Sequence, residues 1–257
     1  MGAGMPDQAA MGWLLFILGV CCGSFFNVVI WRLPRGGSLL RPPSACPHCG
    51  RRIRRRDLVP VISWLLLKGR CRDCGGAIAA RYPLLEALTG ALFVAVYAVT
   101  GWGAELPAGL VLVSFLVVVA AIDIDHQLIL DKVVIAFALA GVAAGLATGR
   151  PGWAEAAFGL LLAGGLLLAL VLLTGAMGWG DANFAAAAGL WLGWQGALVM
   201  LFTAFLGGGL IGGLLLLSGR YSRKDPLPFG PFLCIGTAVA WFWGRAIIAW
   251  YWSLAGL

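Results

Sequence analysis

The feature that most constrains this chain is a succession of long apolar runs. A helix needs roughly 20 apolar residues to cross a hydrocarbon layer about 30 Å thick. Eight candidate runs follow one another, at approximately 10–31, 83–101, 106–124, 131–148, 154–174, 182–194, 196–218 and 230–254. The sixth is short and adjoins the seventh, so seven or eight crossings are expected. Hydrophobic residues make up 61% of the chain and charged residues 11%, which excludes an ordinary soluble domain. The expected fold is an all-α polytopic membrane protein of about eight transmembrane helices with a small cytoplasmic zinc-ribbon-like insert. Its parts would be a first transmembrane helix over 1–31, the insert over 32–82, and a transmembrane core over 83–257.

Orientation follows from the basic residues. Asp7 is the only charged side chain before the first run, and Arg32 and Arg35 follow that run at once. This differs from a signal peptide, whose basic residues come first. A first helix followed by basic residues points its N-terminus away from the cytoplasm. Twelve of the 18 Lys and Arg residues fall between Arg32 and Arg81, which marks the insert as cytoplasmic. Alternating the runs from there puts Lys132 and the cluster Arg220, Arg223, Lys224 on the same side. It leaves Arg150 in an outside loop and both chain ends outside. Arg245 lies within the last run, either paired or snorkelling. The formal net charge of +7 suits this topology and contact with anionic membrane lipids. A basic excess gathered in one juxtamembrane insert is a poor match to nucleic acid.

Within the insert, Cys46-Pro47-His48-Cys49 is followed after 21 residues by Cys71-Arg72-Asp73-Cys74. Two Cys-x-x-Cys knuckles at that separation predict a closed tetrahedral zinc site made by Cys46, Cys49, Cys71 and Cys74. Gly50 and Gly75 follow the knuckles and would let backbone amides turn toward the sulfurs. Two disulfides or four free thiols are the competing readings, and a cytoplasmic placement disfavours the disulfides. His48 lies between two ligands and could replace one; the plainer reading is a solvated loop residue. Cys21, Cys22 and Cys234 fall in apolar runs and read as packing residues. The basic residues around the knuckles, Arg51, Arg52, Arg54, Arg55 and Arg56, suit anionic headgroups or a cofactor carboxylate.

Two carboxylates stand at the edges of apolar runs. Asp123 closes the third run, and Asp181 follows Gly178-Trp179-Gly180 and opens the sixth. An acid at membrane depth is a functional candidate by default, and two acids brought together can share a proton, as aspartic-protease dyads do. Asp123 and Asp125 are roughly 200° apart on a continuous helix and cannot face one site. Asp123 is the deeper, whereas Asp125, His126 and Gln127 read as a loop. Asp131 reads as a helix start. Asp125 or Asp131 is the alternative first acid. For Asp181 the glycines Gly178 and Gly180 would let the backbone turn sharply and approach an extended substrate. The competing reading is a plain helix N-cap.

With these residues in view a family resemblance emerges. Gly23-Ser24-Phe25-Phe26-Asn27-Val28-Val29-Ile30-Trp31-Arg32-Leu33-Pro34 resembles the opening signature of bacterial type IV prepilin peptidases. The Cys tetrad resembles that family's cytoplasmic insert, and Arg81-Tyr82-Pro83-Leu84-Leu85-Glu86 its exit into the second span. Ile122-Asp123 with Asp131, then Gly178-Trp179-Gly180-Asp181, resemble the two catalytic segments of Gly-x-Gly-Asp membrane proteases. Pro228-Phe229-Gly230-Pro231-Phe232-Leu233 resembles the entry to the last helix. The likeness runs in order from about residue 12 to about residue 245. Two positions depart from it. Leu130 stands where the family usually has Pro, which could let the fourth helix begin earlier. Asn183 stands where it usually has Lys, which changes the charge near Asp181.

The resemblance implies a multi-pass protein of the bacterial cytoplasmic membrane serving type IV pili or type II secretion. Asp123 and Asp181 would cleave prepilin or pseudopilin leaders at the cytoplasmic face. It also implies S-adenosylmethionine-dependent methylation of the new N-terminus, for which the residues themselves give no cofactor fingerprint. Glu86 is a supporting candidate, against a solvated first-turn acid. Gly208, Gly209, Gly212 and Gly213 have the spacing of close helix packing. The rival class is a transporter or zinc-dependent assembly scaffold without peptidase activity; transporters often show internal repeats, and none is evident here.

Overall fold

The computed structural model describes residues 8–175, 177–219, 222 and 227–254. Among them regular structure is helical apart from two isolated bridges. Arg220, Arg223 and Lys224, the basic cluster expected beside Lys132, lie outside the described residues. The chain forms two compact units, Met1–Trp102 and Gly103–Leu257.

In the first unit, α1 (Gln8–Arg32) pairs with α3 (Arg81–Thr100). Small residues let the two backbones touch. A Cβ on Gly19 would stand 2.8 Å from the Gly90 Cα, and one on Gly23 would stand 2.8 Å from the Glu86 Cα. Without water between helices, such close approach is the main source of association. After α1, Arg32 folds the chain back by donating to the carbonyls of Ser38 (3.0 Å) and Pro42 (2.6 Å). The insert that follows holds a 3₁₀ turn at Arg55–Leu58 and the short α2, Ile62–Leu66. Arg72 grips Asp57 with two nitrogens at 2.8–3.2 Å, which holds that carboxyl below its ordinary range. Arg54 pairs with Asp73 at 3.0 Å.

The second unit comprises α4 (Glu105–His126), α5 (Asp131–Thr148), α6 (Trp153–Thr174), α7 (Trp179–Leu217) and α8 (Gly230–Leu254). All described α-helices but α2, seven in number, are long and apolar enough to cross a membrane. The core centres on Phe137, stacked between Phe184 and Trp191 with centroids 5.3 and 5.4 Å away. Trp191 Nε1 donates to the Phe137 carbonyl at 2.9 Å, so its buried N–H is satisfied.

The sixth and seventh apolar runs form one 39-residue helical element, α7, broken at Gly193. Its φ of 68° and ψ of 176° belong to a region open only to glycine. The break is a reversal. Before it, Gly164, Gly159 and Glu155 of α6 face Ala186, Gly189 and Gly193 in turn. After it, Gly236 meets Met200, and Gly208 meets Phe229, the residue before α8. Because Gly230 touches Asp123, the end of this hairpin returns to the level of α8's start and α4's end. The sixth apolar run is thus a short helical arm joined to the seventh without a loop.

The glycine stripe behaves differently from its expected packing role. Gly208 and Gly212 rest against Phe229 and Leu227 side chains, while Gly209 and Gly213 meet nothing within 4 Å. Close backbone contact falls instead at Gly159 and Gly189, where a Cβ on either would run into the other's backbone. Gly189→Val is therefore expected to destabilise the protein by about 1–3 kcal/mol, whereas Gly209→Val is expected to change little. Thermal unfolding of the two variants in detergent checks this.

Candidate active site and metal centre

Helix α4 runs through Asp125 and His126 and ends at Gln127, a left-handed cap whose N–H returns to the Asp123 carbonyl. The loop expected at Asp125–Gln127 is therefore a helix end, because the cap falls only after His126. On that helix Asp123 is buried and Asp125 exposed, as an angle of about 200° between them requires. Helix α8 begins directly against Asp123. The Gly230 N–H donates to Asp123 Oδ2 at 2.9 Å, and a Cβ on Gly230 would lie 2.7 Å from that oxygen. Only glycine lets the backbone come so near.

Asp181 is the third residue of α7 and accepts the Gly178 N–H at 3.1 Å. Gly178 is the N-cap, with φ −79° and ψ 150°, a conformation any residue adopts. The tight constraint lies at Gly180, whose Cβ would stand 2.8 Å from the Ile129 Cβ in the α4–α5 connection. That contact seats the start of α7 on the turn after Asp123. Asp181 follows Gly180 directly and so starts α7 beside the turn that leaves Asp123, while α8 starts on Asp123 itself. Two acids from separate helices thus converge on one place, each held through Oδ2 by a backbone N–H. Gly230 was missed as a neighbour of Asp123; a Gly-Pro pair opening an apolar run was the available signal. Cys234 is buried in α8, as its packing reading expected.

Asp131 is the first residue of α5 and is exposed. Asn183 Nδ2 approaches its Oδ1 at 3.5 Å. Leu130 is extended, so α5 begins no earlier for want of a proline. Glu86, in the first unit, is buried rather than solvated. Its Oε2 accepts the Val61 N–H at 2.7 Å, and the Ser24 hydroxyl is a second partner.

The cysteines form two matching knuckles. Cys46 N–H donates to the Arg51 carbonyl and Gly50 N–H to that of Cys46; Cys71, Gly76 and Gly75 repeat the pattern at 2.8–2.9 Å. Gly50 and Gly75 take φ of 69° and 70°, the left-handed turn each knuckle requires. All four ligand sulfurs lie within 4.8 Å of one another, and Cys46 and Cys74 are 3.8 Å apart. Sulfurs at about 2.3 Å from a tetrahedral ion stand roughly 3.8 Å apart, so the set fits zinc. Backbone N–H groups of Cys49 and His48 point at the Cys46 sulfur and draw its thiol down to about 6. His48 is turned away, with Nε2 3.0 Å from the Ala77 carbonyl of the opposite knuckle.

Among the described residues no comparable cluster marks a place for S-adenosylmethionine. The cavity lined by Gly141, Val142, Pro151, Trp153 and Leu190 holds about 20 Å³ and has no charged wall, far below the roughly 300–1,000 Å³ of small-molecule pockets.

Comparison with known proteins agrees with this architecture. Residues 17–100 match the family profile described as Bacterial Peptidase A24 N-terminal domain, and residues 110–213 match the Type IV leader peptidase family. A prepilin leader peptidase/N-methyltransferase of Bacillus subtilis is 35% identical over 244 residues, covering 94% of this chain and 98% of that protein. Its Aeromonas hydrophila counterpart is 39% identical over 272 residues, covering 93% and 92%. One from Myxococcus xanthus is 46% identical over 145 residues, covering 56% and 43%. No solved structure matches. By the extent and order of these matches, the chain belongs to the type IV leader peptidase family.

Proposed function

We propose that this chain cleaves the leader of type IV prepilins or pseudopilins with Asp123 and Asp181 and then methylates the new N-terminus. The observation that carries the reading is the convergence of two carboxylates from α4 and α7, each fixed by one backbone N–H. In each acid Oδ2 takes that N–H, and Oδ1 is the atom left for water or substrate. One carboxylate acts as general base toward water while the other protonates the departing amine. The pair titrates as a unit, as coupled carboxylates do. No metal is required for these steps.

The basic insert, Arg32 to Arg81, supports a cytoplasmic active site in the bacterial inner membrane. A positively charged leader would remain on that side while the hydrophobic helix behind it stays in the bilayer. Zinc, held by Cys46, Cys49, Cys71 and Cys74, would have no open position for water and would serve the insert's fold. Methylation is carried over from the relatives' names, with S-adenosylmethionine as its donor, and no step of it is assigned to residues.

Gly230 tests the geometry. Gly230→Ala puts a methyl 2.7 Å from Asp123 Oδ2 and forces the carboxylate aside. Displacement by about 1 Å can cost on the order of 10²-fold in rate. Processing of a prepilin in membranes, followed by mass of the product, is expected to fall by that order. Cleavage at the unaltered rate would show that Asp123 does not act from this position.

A further inference from the structure

We propose that residues 58–66 of the insert form an interfacial anchor seated in an anionic phospholipid leaflet. Ile62, Leu65 and Leu66 share one face of α2 by their spacing, and all three are exposed, as are Leu58 and Val59 before them. Such a cluster on a knob otherwise rich in arginine marks a surface that something apolar covers.

The position of α2 identifies the cover. Trp31 is the last residue but one of α1, Tyr82 the second of α3, and both are exposed, as aromatic residues at headgroup level are. Asn27 Nδ2 donates to the Tyr82 carbonyl at 3.3 Å and ties the two helices there. The head of α2 is tethered farther in, by the 2.7 Å bond from Val61 N–H to Glu86 Oε2. Glu86 lies one turn past Tyr82, about 6 Å deeper along α3. Apolar faces of interfacial helices sit roughly 5–10 Å into the headgroup–acyl boundary, so α2 is held at that depth.

The tether is maintained against strain. Val61 takes φ 59° and ψ −56°, costly for a β-branched residue. It closes a γ-turn in which the Ile62 N–H donates to the Pro60 carbonyl at 2.6 Å. Such a turn persists where its surroundings over-determine it, and the buried Glu86 carboxylate supplies that hold. Charge selects the lipid. Arg55 and Arg56 precede the patch, Lys68 and Arg70 follow it, and all four are exposed. Their long side chains reach headgroup phosphates while the apolar face enters the acyl edge.

The test uses full-length protein in nanodiscs and needs no enzymatic readout, so it stands or falls apart from the peptidase reading. A photoreactive benzoylphenylalanine replaces Leu66, or Arg51 on the knuckle as control, in phosphatidylcholine with or without phosphatidylglycerol. Intact mass after irradiation is expected to show phospholipid adducts at Leu66 and not at Arg51. Phosphatidylglycerol is expected to raise the yield roughly tenfold, and Arg55→Gln with Arg56→Gln to cut that preference to roughly threefold, Lys68 and Arg70 remaining, while adducts in phosphatidylcholine persist. Equal lipid adducts at both sites, none at Leu66, or adducts to another polypeptide in their place would overturn the anchor. Indifference to phosphatidylglycerol would overturn its anionic selectivity.

Discussion

Asp123→Asn and Asp181→Asn are each expected to stop leader cleavage, with a loss of roughly 10²–10⁴-fold, the range of a single acid–base catalyst. Asparagine keeps the shape of each side chain, and its amide oxygen can still accept the N–H of Gly230 or Gly178. What it removes is the carboxylate that takes the water's proton or gives one to the amine. Because two such groups work as a unit, the double variant should be hardly slower than either single one. Asp125→Asn is the matched control: it lies two residues from Asp123 on the same helix but is exposed. The measurement is prepilin processing in membranes, with the product's N-terminus read by mass and protein level checked in parallel. Near-normal cleavage by Asp123→Asn, or a loss in Asp125→Asn as large as that in Asp123→Asn, would sink the assignment.

How much of this was legible in the sequence depends on the length scale of each feature. Apolar runs declare spans because the bilayer imposes one length on them all, and the knuckles declare a metal site because ligand spacing is local. The break between the runs 182–194 and 196–218 was legible, but its placement at Gly193 without a loop was not. It needs one residue in a glycine-only conformation, within a chain of many glycines that offers nothing to single it out. Helix α4 was expected to end at about residue 124, since the polar residues Asp125, His126 and Gln127 resemble a loop. The cap came three residues later, as polarity at a helix end is compatible with helix. Gly230 was invisible as a partner of Asp123 because the two are 107 positions apart. The burial of Glu86 was missed for a related reason: its partner, the Val61 N–H, belongs to the backbone and leaves no mark in the sequence.

Loss of the metal is expected to separate the insert from the acids. Purified protein should carry one zinc per chain, and Cys71→Ser should lose it, since three thiolates leave the tetrahedral site open. Besides the metal, the two knuckles are held by short backbone bonds, the His48–Ala77 bond and the surface pairs Arg54–Asp73 and Arg72–Asp57. Without the ion the insert should become sensitive to protease at 46–76. Asp123 and Asp181 lie on α4 and α7, in the other compact unit, so cleavage should fall far less than in Asp123→Asn. N-methylation should fall more than cleavage, because the two acids lie outside the insert whereas the basic side chains Arg51, Arg52, Arg55 and Arg56 lose their fixed places with the ion. Metal analysis, limited proteolysis, and the ratio of methylated to unmethylated processed pilin by mass spectrometry give the three readings. Zinc near zero in protein purified without chelator would remove the metal centre. Equal loss of both activities in a well-inserted Cys71→Ser protein would instead make the insert part of the peptidase.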